Sequence, residues 1–391
     1  MDRCTLVILA LLIPWAVGLS GCSDAGRSGF VERISNGVTV RSYRTATPPE
    51  TDPYRLGPPH TFGADQGPDT YLLSSADYLG ESADGRVYLL DIRSHLIHIF
   101  AGDATHLGAF GGLGAGPGEF SRGGLHAWVH EDEILVWDRL MHRLSIFDHT
   151  NVSQGSRQIN GLSSNDYVVP YLYGGERRYL AVTYFRTIGP EIQNYLLKLV
   201  PLTVDFEPAA TLLDTFMYSP VDRIGNRSVL PPFTLLGAMM AIAPDLPVAL
   251  WWPGAYRIDF LDPWSGEQWA TELPIAPRPV TRELREWRIG YFSDSGLEAE
   301  ARRGLHFPTH LPHIGTLTWS EDGRLWVMDS EPIPEEAVSY GYNVFSREGE
   351  WLFRQTLPVR LDACTADGIW VRGEREDGAP ILEFHPFVKE W

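Results

Sequence analysis

His306-Phe307-Pro308-Thr309-His310-Leu311-Pro312-His313 is the densest run of potential metal ligands in the chain, with three imidazoles within eight residues. Imidazole nitrogens in that number suit zinc or copper. Two prolines interrupt the run, and no Cys, Asp or Glu lies inside it. The spacing is better explained by a Pro-kinked lead-in to a β-strand, with a metal at His306, His310 and His313 as the sharper alternative. Asp91, Asp138 and Asp329 each end a short apolar run. Repetition at one structural position favours a structural task, accepting backbone N–H groups of the following turn. Calcium there would need several oxygens to converge. Arg93 and His95 follow the first of these aspartates, and Arg139 and His142 follow the second. They are candidate ligand-binding residues. In Trp251-Trp252-Pro253-Gly254, strand alternation puts the two indoles on opposite faces. Both suit packing, and Trp252 is the candidate for stacking on a sugar or peptide. No Gly-x-Ser-x-Gly elbow and no Cys-x-x-Cys-His is present, so no catalytic residue is assigned.

The N-terminus carries a different chemistry. Arg3 precedes an apolar run from Leu6 to Leu19, and Ser20-Gly21-Cys22 follows. That order is a secretory signal peptide, residues 1–21. It resembles the bacterial lipoprotein signal, in which the cysteine thiol is acylated and becomes the mature N-terminus. Cys22 is therefore the expected lipidation site. The run is shorter than the ~20 residues of a membrane span and contains Pro14. Ser23, rather than Asp, follows Cys22. By resemblance to enteric lipoproteins this implies the outer rather than the inner membrane.

Composition narrows the partners. The net charge of −18 leaves no basic footprint, which argues against nucleic acid. It also means that anionic headgroups repel the body, so the membrane partner is held through the lipid alone. Beyond Cys4 and Cys22 only Cys364 remains, so no internal disulfide is available. Abundant Gly, Pro, Trp and Tyr with little helical periodicity point to an all-β body.

Internal repeats supply the elements that must position these residues. Asp84-Gly85-Arg86-Val87-Tyr88-Leu89-Leu90-Asp91 matches Asp322-Gly323-Arg324-Leu325-Trp326-Val327-Met328-Asp329. Glu133–Asp138 repeats the apolar run, and Asp138 lies 47 residues after Asp91. Asp367–Val371 is a weaker copy. Short strands at this period read as four-stranded propeller blades. A glycine-rich stretch, Phe110–Phe120, has a partial copy beginning at Phe62-Gly63. It fits a crowded passage between blades, and without a Gly-Lys-Ser/Thr ending or a following helix it does not fit a phosphate loop. The Phe62 copy marks an outer strand with no blade before it. Residues 55–62 must then complete a last blade made from Leu361–Thr365, Ile369–Gly373 and Ile381–His385. Phe387 and Trp391 are expected to pack into that closure. The count is six blades, with blade three near 167–215 and blade four near 233–273. Residues 276–311, N-capped at Thr281, form a short helical insertion between blades four and five. The domains are thus 1–21 signal, 22–53 lipidated tail and linker, and 54–391 propeller.

The pairing of Gly-x-Gly-Pro-Gly-Glu-Phe with Asp-Gly-Arg strands and Arg-Leu-x-Ile-Phe-Asp is similar to NHL-type repeats. The chain as a whole resembles six-bladed β-propeller lipoproteins of environmental bacteria. Ser35–Val40 matches their Asn-Gly-Val strand, and His306–Val327 matches their Pro-rich lead to a Gly-Arg-Leu-Trp-Val strand. A repeat architecture without a coherent catalytic set points to a non-enzymatic binding or scaffolding propeller of the bacterial cell envelope that recognises a protein, peptide or glycan through its channel face. No cofactor is required for that role. The alternative is a metal-dependent hydrolase or lyase with zinc or calcium at the channel mouth. A third possibility is an interaction subunit of an export or polymer-uptake assembly.

Overall fold

The computed structural model describes residues 29–388, apart from 64–72, 131–132, 164, 174–175, 189–191, 204–205, 226, 230, 233–238 and 331–338. The signal peptide, Cys22, the rest of the Phe62 glycine-rich copy and Trp391 lie outside the described residues.

Each repeat folds as an antiparallel sheet whose second strand is buried on both faces. In blade one (Asp77–Glu81, Arg86–Asp91, Leu96–Ala101, His106–Gly111) that strand is Arg86–Asp91. Val87 and Leu89 point to one neighbouring blade, while Tyr88 and Leu90 point to the other. Blade two (Leu125–His130, Glu133–Asp138, Arg143–Asp148, Ser153–Gln158) divides Ile134 and Val136 from Leu135 and Trp137 in the same way. Period-two alternation of large apolar groups is thus the code for two inter-blade cores at once. Blade three is longer (Asp166–Tyr173, Glu176–Ile188, Ile192–Leu202, Leu213–Pro220), and blade four begins at Met239 (Met239–Ala241, Val248–Trp251, Arg257–Leu261, Gln268–Glu272). Blade five comprises Ile314–Trp319, Leu325–Asp329, Tyr340–Phe345 and Trp351–Leu357. A separate apolar cluster fills each of the six blade-to-blade junctions.

Blade six closes the ring as expected. Ala363–Cys364, Gly368–Glu374 and Pro380–Val388 are joined by Arg55–Leu56 and His60–Phe62 from the other end of the chain. Phe62 pairs with Leu382, and Leu56 with Phe387. Phe387 stacks on Tyr54 with ring centroids 4.4 Å apart. Closure leaves the ring without an open seam.

The described part of the stretch read as tail and linker is structured. Phe30–Ser35 and Val38–Tyr43 form a hairpin turned by Asn36 and Gly37, both at positive φ. Val38–Tyr43 then adds in parallel to the outer strand of blade four. Val40 is fully buried there, and the Tyr43 hydroxyl accepts the Trp351 N–H of blade five at 2.6 Å. Further on, Asp52 donates its N–H to the Arg354 carbonyl at 2.7 Å. Residues 30–62 therefore run as a strap across the outer edges of blades four, five and six.

The helical insertion consists of α1 (Arg282–Gly290) and α2 (Glu298–Gly304), with Thr281 capping α1 through its side chain. The helices pack on a hairpin, Asp222–Ile224 with Arg227–Val229, through Ile224, Ile289, Ala301 and Leu305. That hairpin lies between blades three and four in sequence, and nothing in its residue pattern announced it.

Candidate functional site: an acidic cavity on the propeller axis

The six inner strands surround the axis, and their ends decide what the channel presents. Asp77 pairs with Leu90 and Glu81 with Val87, so each inner strand runs from the second turn of its blade toward the first. At the end carrying the first turns lies a cavity of about 600 Å³. It is lined from five blades, by residues that include Tyr78, Glu81, Trp128, His130, Asp245 and Glu321. A volume of that size is typical of a small-molecule or side-chain site.

Two polar pairs are built into the wall. The Tyr78 hydroxyl donates to Glu321 Oε1 at 2.7 Å, and His130 Nε2 lies 3.0 Å from Asp245 Oδ2. Burial holds the Glu321 carboxyl above the usual carboxylate range. The Tyr78 hydrogen bond opposes this, and the charges of Glu81, Asp322 and Asp367 add to it. Glu81 is raised too, by burial and then by Asp367. The Tyr78 phenol is pushed far up by burial and by the charge on Glu321. Asp362, also in the wall, is neutralised from outside by Arg372 at 3.1 Å. Cys364 is buried and free, and burial pushes its thiol up, so it is a packing group.

The residues singled out in the sequence lie elsewhere. Arg93 and His95 line a second depression, about 560 Å³, with Leu113 and Arg122 at the opposite end of blade one. His95 and His142 both sit at positive φ immediately before the third strand of their blades. His95 accepts the Gly112 N–H through its carbonyl, and His142 accepts that of Ile159. Their repetition is thus accounted for by turn geometry, which histidine tolerates better than most residues. Arg139 gives its N–H to the Gly124 carbonyl at 3.1 Å and packs its side chain over that glycine. Trp252 is half-buried against the core between blades three and four, whereas Trp251 fills the core between four and five. The two indoles do face opposite ways.

The His306 cluster is dispersed. His306 Nδ1 lies 2.7 Å from Asp222 Oδ1, His310 Nδ1 lies 2.9 Å from the Thr309 hydroxyl, and the His313 ring sits edge-on to Tyr256. The intervening prolines extend the chain and turn the rings to different neighbours. Among the described residues no group of three or more His, Cys, Asp or Glu is arranged to hold a metal.

The repeated aspartates are structural in blades one and two. Asp91 accepts the N–H groups of Ser74, Arg93 and Ser94 and the hydroxyls of Ser74 and Ser75. Asp138 accepts the N–H of Ser121 and Met141. Each carboxylate ties the passage into its blade to the turn within it. Asp329 differs, receiving the Arg354 guanidinium at 2.6 Å. The glycine-rich passage fills itself. The Glu119 carboxylate accepts the Gly116 N–H at 2.8 Å, occupying the place that an anion would take. A side chain at Gly111, where φ is +107°, would meet Phe120 at 2.6 Å and the His95 carbonyl at 2.7 Å.

Two histidines predict the acid response of the fold. Burial lowers His98 to about 4, with His106 adding to the effect, and burial with Arg139 lowers His126 to about 4. Both rings are folded neutral. The unfolded chain, with histidine near 6.5, takes up their protons first. Stability present above about pH 6.5 is therefore eroded as pH falls toward 4, by roughly 3 kcal/mol at most for His98. Thermal melts between pH 7 and 4.5 should show this loss, and His98→Asn should flatten it. An equally steep decline in the variant would assign the acid response to other groups.

Sequence inspection alone did not find Tyr78, Glu81, Trp128, His130, Asp245 or Glu321. One signal was available. The first turns of blades one and five read Ser82-Ala83-Asp84-Gly85-Arg86 and Ser320-Glu321-Asp322-Gly323-Arg324. They share their geometry, with Ser82 and Ser320 each bonded to the carboxylate of Asp84 or Asp322. Glu321 is the departure from that shared pattern.

Fold and site together define a six-bladed β-propeller with an acidic pocket on its axis. Among solved structures the chain is similar to an exported protein of Bacteroides fragilis, at 12% identity and a TM-score of 0.47, over 90% of this chain and 100% of that one. It is also similar to a member of the DUF4221 family from Bacteroides vulgatus (9%, TM-score 0.42, 86% and 98%). A third is virginiamycin B lyase from Staphylococcus aureus (11%, TM-score 0.38, 86% and 90%). These likenesses are of fold only. No family model matches the chain, and no curated protein sequence does.

Proposed function

We propose that this propeller is a binding protein of the bacterial cell envelope, tethered by acyl chains at Cys22, with the outer membrane as its site. It recognises a protein, peptide or glycan in the cavity at the end of its channel. The observation that carries the reading is the cavity itself. Five blades contribute to one polar pocket, and among the described residues no group of three or more His, Cys, Asp or Glu is arranged to hold a metal. Repeat architectures place such pockets where no single blade could build them.

The cavity and the rim of Arg93, Arg139 and His142 lie toward opposite ends of the blades, so they can be tested separately. Envelope extract passed over the immobilised mature chain should yield bound material identifiable by mass spectrometry. Ala243→Trp, which fills the cavity from a half-buried wall position, should abolish its retention. The triple variant Arg93→Ala, Arg139→Ala, His142→Ala should retain it. The reverse pattern would move recognition to the rim. The anchor rests on one sulfur. Cys22→Ala should give an unacylated chain that leaves the detergent phase, and unchanged partitioning with unchanged mature mass would refute lipidation.

A further inference from the structure

We propose that the end of the propeller opposite the cavity is a docking surface for an anionic phospholipid membrane, so that the cavity opens away from the bilayer. The part played by the tether rests on the acylation proposed at Cys22, and the part played by charge does not.

The chain leaves the propeller at that end. Val38–Tyr43 runs parallel to Gln268–Glu272, the outer strand of blade four, which finishes at the end of the second turns. Phe30–Ser35 runs back along Val38–Tyr43, so Phe30 stands beside Tyr43 at the same end. Residues 22–28 are all that separate Cys22 from Gly29 in sequence. Fully extended, a segment of that length reaches about 25 Å. So short a tether holds this end toward the lipid and leaves the cavity on the far side.

Charge is divided along the same axis. At the cavity end the first and third turns carry Asp84, Asp148, Asp245, Asp262, Asp322 and Asp367. At the other end the second turns of blades one and two hold Arg93 and Arg139 without an acidic residue, and Arg122 lies in the passage between these blades. The helical insertion and the hairpin of residues 222–229 also leave the ring at this end, each between an outer strand and the inner strand that follows. Together they hold eight Arg against six Asp or Glu, in a chain whose net charge is −18. Asp222 is buried, and Arg302 takes up Glu286 and Glu298 at 2.7 and 3.2 Å. Arg223, Arg278 and Arg303 are exposed and form no ion pair among the described residues. Blade six departs from this pattern, with Glu376 and Asp377 in its second turn, and Glu331, Glu335 and Glu336 of blade five lie outside the described residues. The basic surface is thus that of blades one and two and of the insertion.

Apolar groups stand among these arginines. Leu113 and Leu140 are each 52% exposed, and Tyr291, at the end of α1, is 50% exposed. Tyr291 lies edge-on to Trp287 with centroids 4.9 Å apart, and the Arg288 guanidinium sits over its ring. Arg beside Trp and Tyr suits the headgroup layer, where the guanidinium meets phosphate and the ring meets the acyl boundary. The total charge of the chain sets it against anionic headgroups. In physiological salt, however, screening acts within about 8 Å, so the bilayer responds to the charge of the surface that faces it.

The test is co-sedimentation with vesicles, using the full mature chain with Cys22→Ala so that no acyl chain contributes. Vesicles of phosphatidylcholine alone are compared with an equal mixture of phosphatidylcholine and phosphatidylglycerol. The chain should bind the mixed vesicles only, and less as salt is raised. Arg278→Glu, Arg282→Glu and Arg303→Glu together should weaken binding roughly tenfold or more. A second readout holds even if that variant folds poorly. An environment-sensitive fluorophore on Ser295→Cys, between the two helices, should shift its emission on the mixed vesicles. The same fluorophore on Arg347→Cys, in a third turn at the cavity end, should not. Cys364 is buried and stays unlabelled. Absence of binding, or binding indifferent to phosphatidylglycerol, to salt or to the three substitutions, would overturn the proposal. A shift at Arg347→Cys, or none at Ser295→Cys, would overturn it too. A failure of acylation would show in the detergent partitioning of the wild-type chain and would leave this result standing, whereas loss of vesicle binding would leave the anchor in place.

Discussion

A chain that begins at Gly63 will not fold to a smaller propeller; it will aggregate or remain molten. Phe62 is 1% exposed and packs against Phe100 and Trp370, with ring centroids 5.4 and 4.9 Å away. Deleting a buried phenylalanine side chain alone costs about 3–5 kcal/mol. The deletion also strips the strand Pro380–Val388 of its partners Leu56 and Thr61 and exposes a long edge. Against a total stability of about 5–15 kcal/mol, that loss removes most of the margin. A chain beginning at Arg55 keeps the closure but loses the strap on blades four and five. It should melt cooperatively at a lower temperature. Calorimetry with size-exclusion chromatography separates the outcomes. A soluble, cooperatively melting protein that lacks Phe62 would show that the closing strand is dispensable.

Asp91→Ala should be the most damaging single carboxylate replacement, at about 3 kcal/mol by the cost of stranding buried donors. The residue is fully buried, and its oxygens collect donors from Ser74, Ser75, Arg93 and Ser94. Removing the acceptor leaves several donors unsatisfied at about 1–3 kcal/mol for each one that water cannot reach. Asp138→Ala should behave alike, because it joins Ser121 to Met141 in the next blade. Asp91→Asn should cost less, since it retains one acceptor oxygen. The pH signature is distinct from that of the histidines. Burial raises the Asp91 carboxyl, but the bonds from Ser74, Ser94 and Ser75 outweigh it and hold the group below its usual value. Its contribution is thus complete above pH ~4 and disappears below that. Urea midpoints of wild type and Asp91→Ala should lie well apart at neutral pH and draw together as pH falls toward 3. A midpoint at neutral pH that matched wild type would mean that the turns hold without the carboxylate.

Local and periodic features were open to reading from the chain. The repeated short apolar runs at Arg86–Asp91 and Leu325–Asp329 announced blade strands, and the offset between Asp91 and Asp138 set the blade size. An orphan outer strand before Phe62 required closure by the C-terminus, because an open seam would leave backbone groups unpaired. Thr281 announced a helix, since its hydroxyl is one of few groups that satisfy the first-turn N–H donors. Tertiary structure alone decided the rest. The strap needs Val40 to meet Ala270 and Asp52 to meet Arg354, contacts between residues far apart in the chain. The three histidines of 306–313 stand close together in sequence, where a Pro-kinked lead-in to a strand was the favoured reading and a metal the alternative, but Asp222 draws His306 away through a hairpin that no local pattern foretold. Conversely, Tyr78, His130, Asp245 and Glu321 share no local motif and meet only because five inner strands end around one axis. Repetition marks what each blade needs for itself, whereas a pocket on the axis is built from the positions where the blades differ.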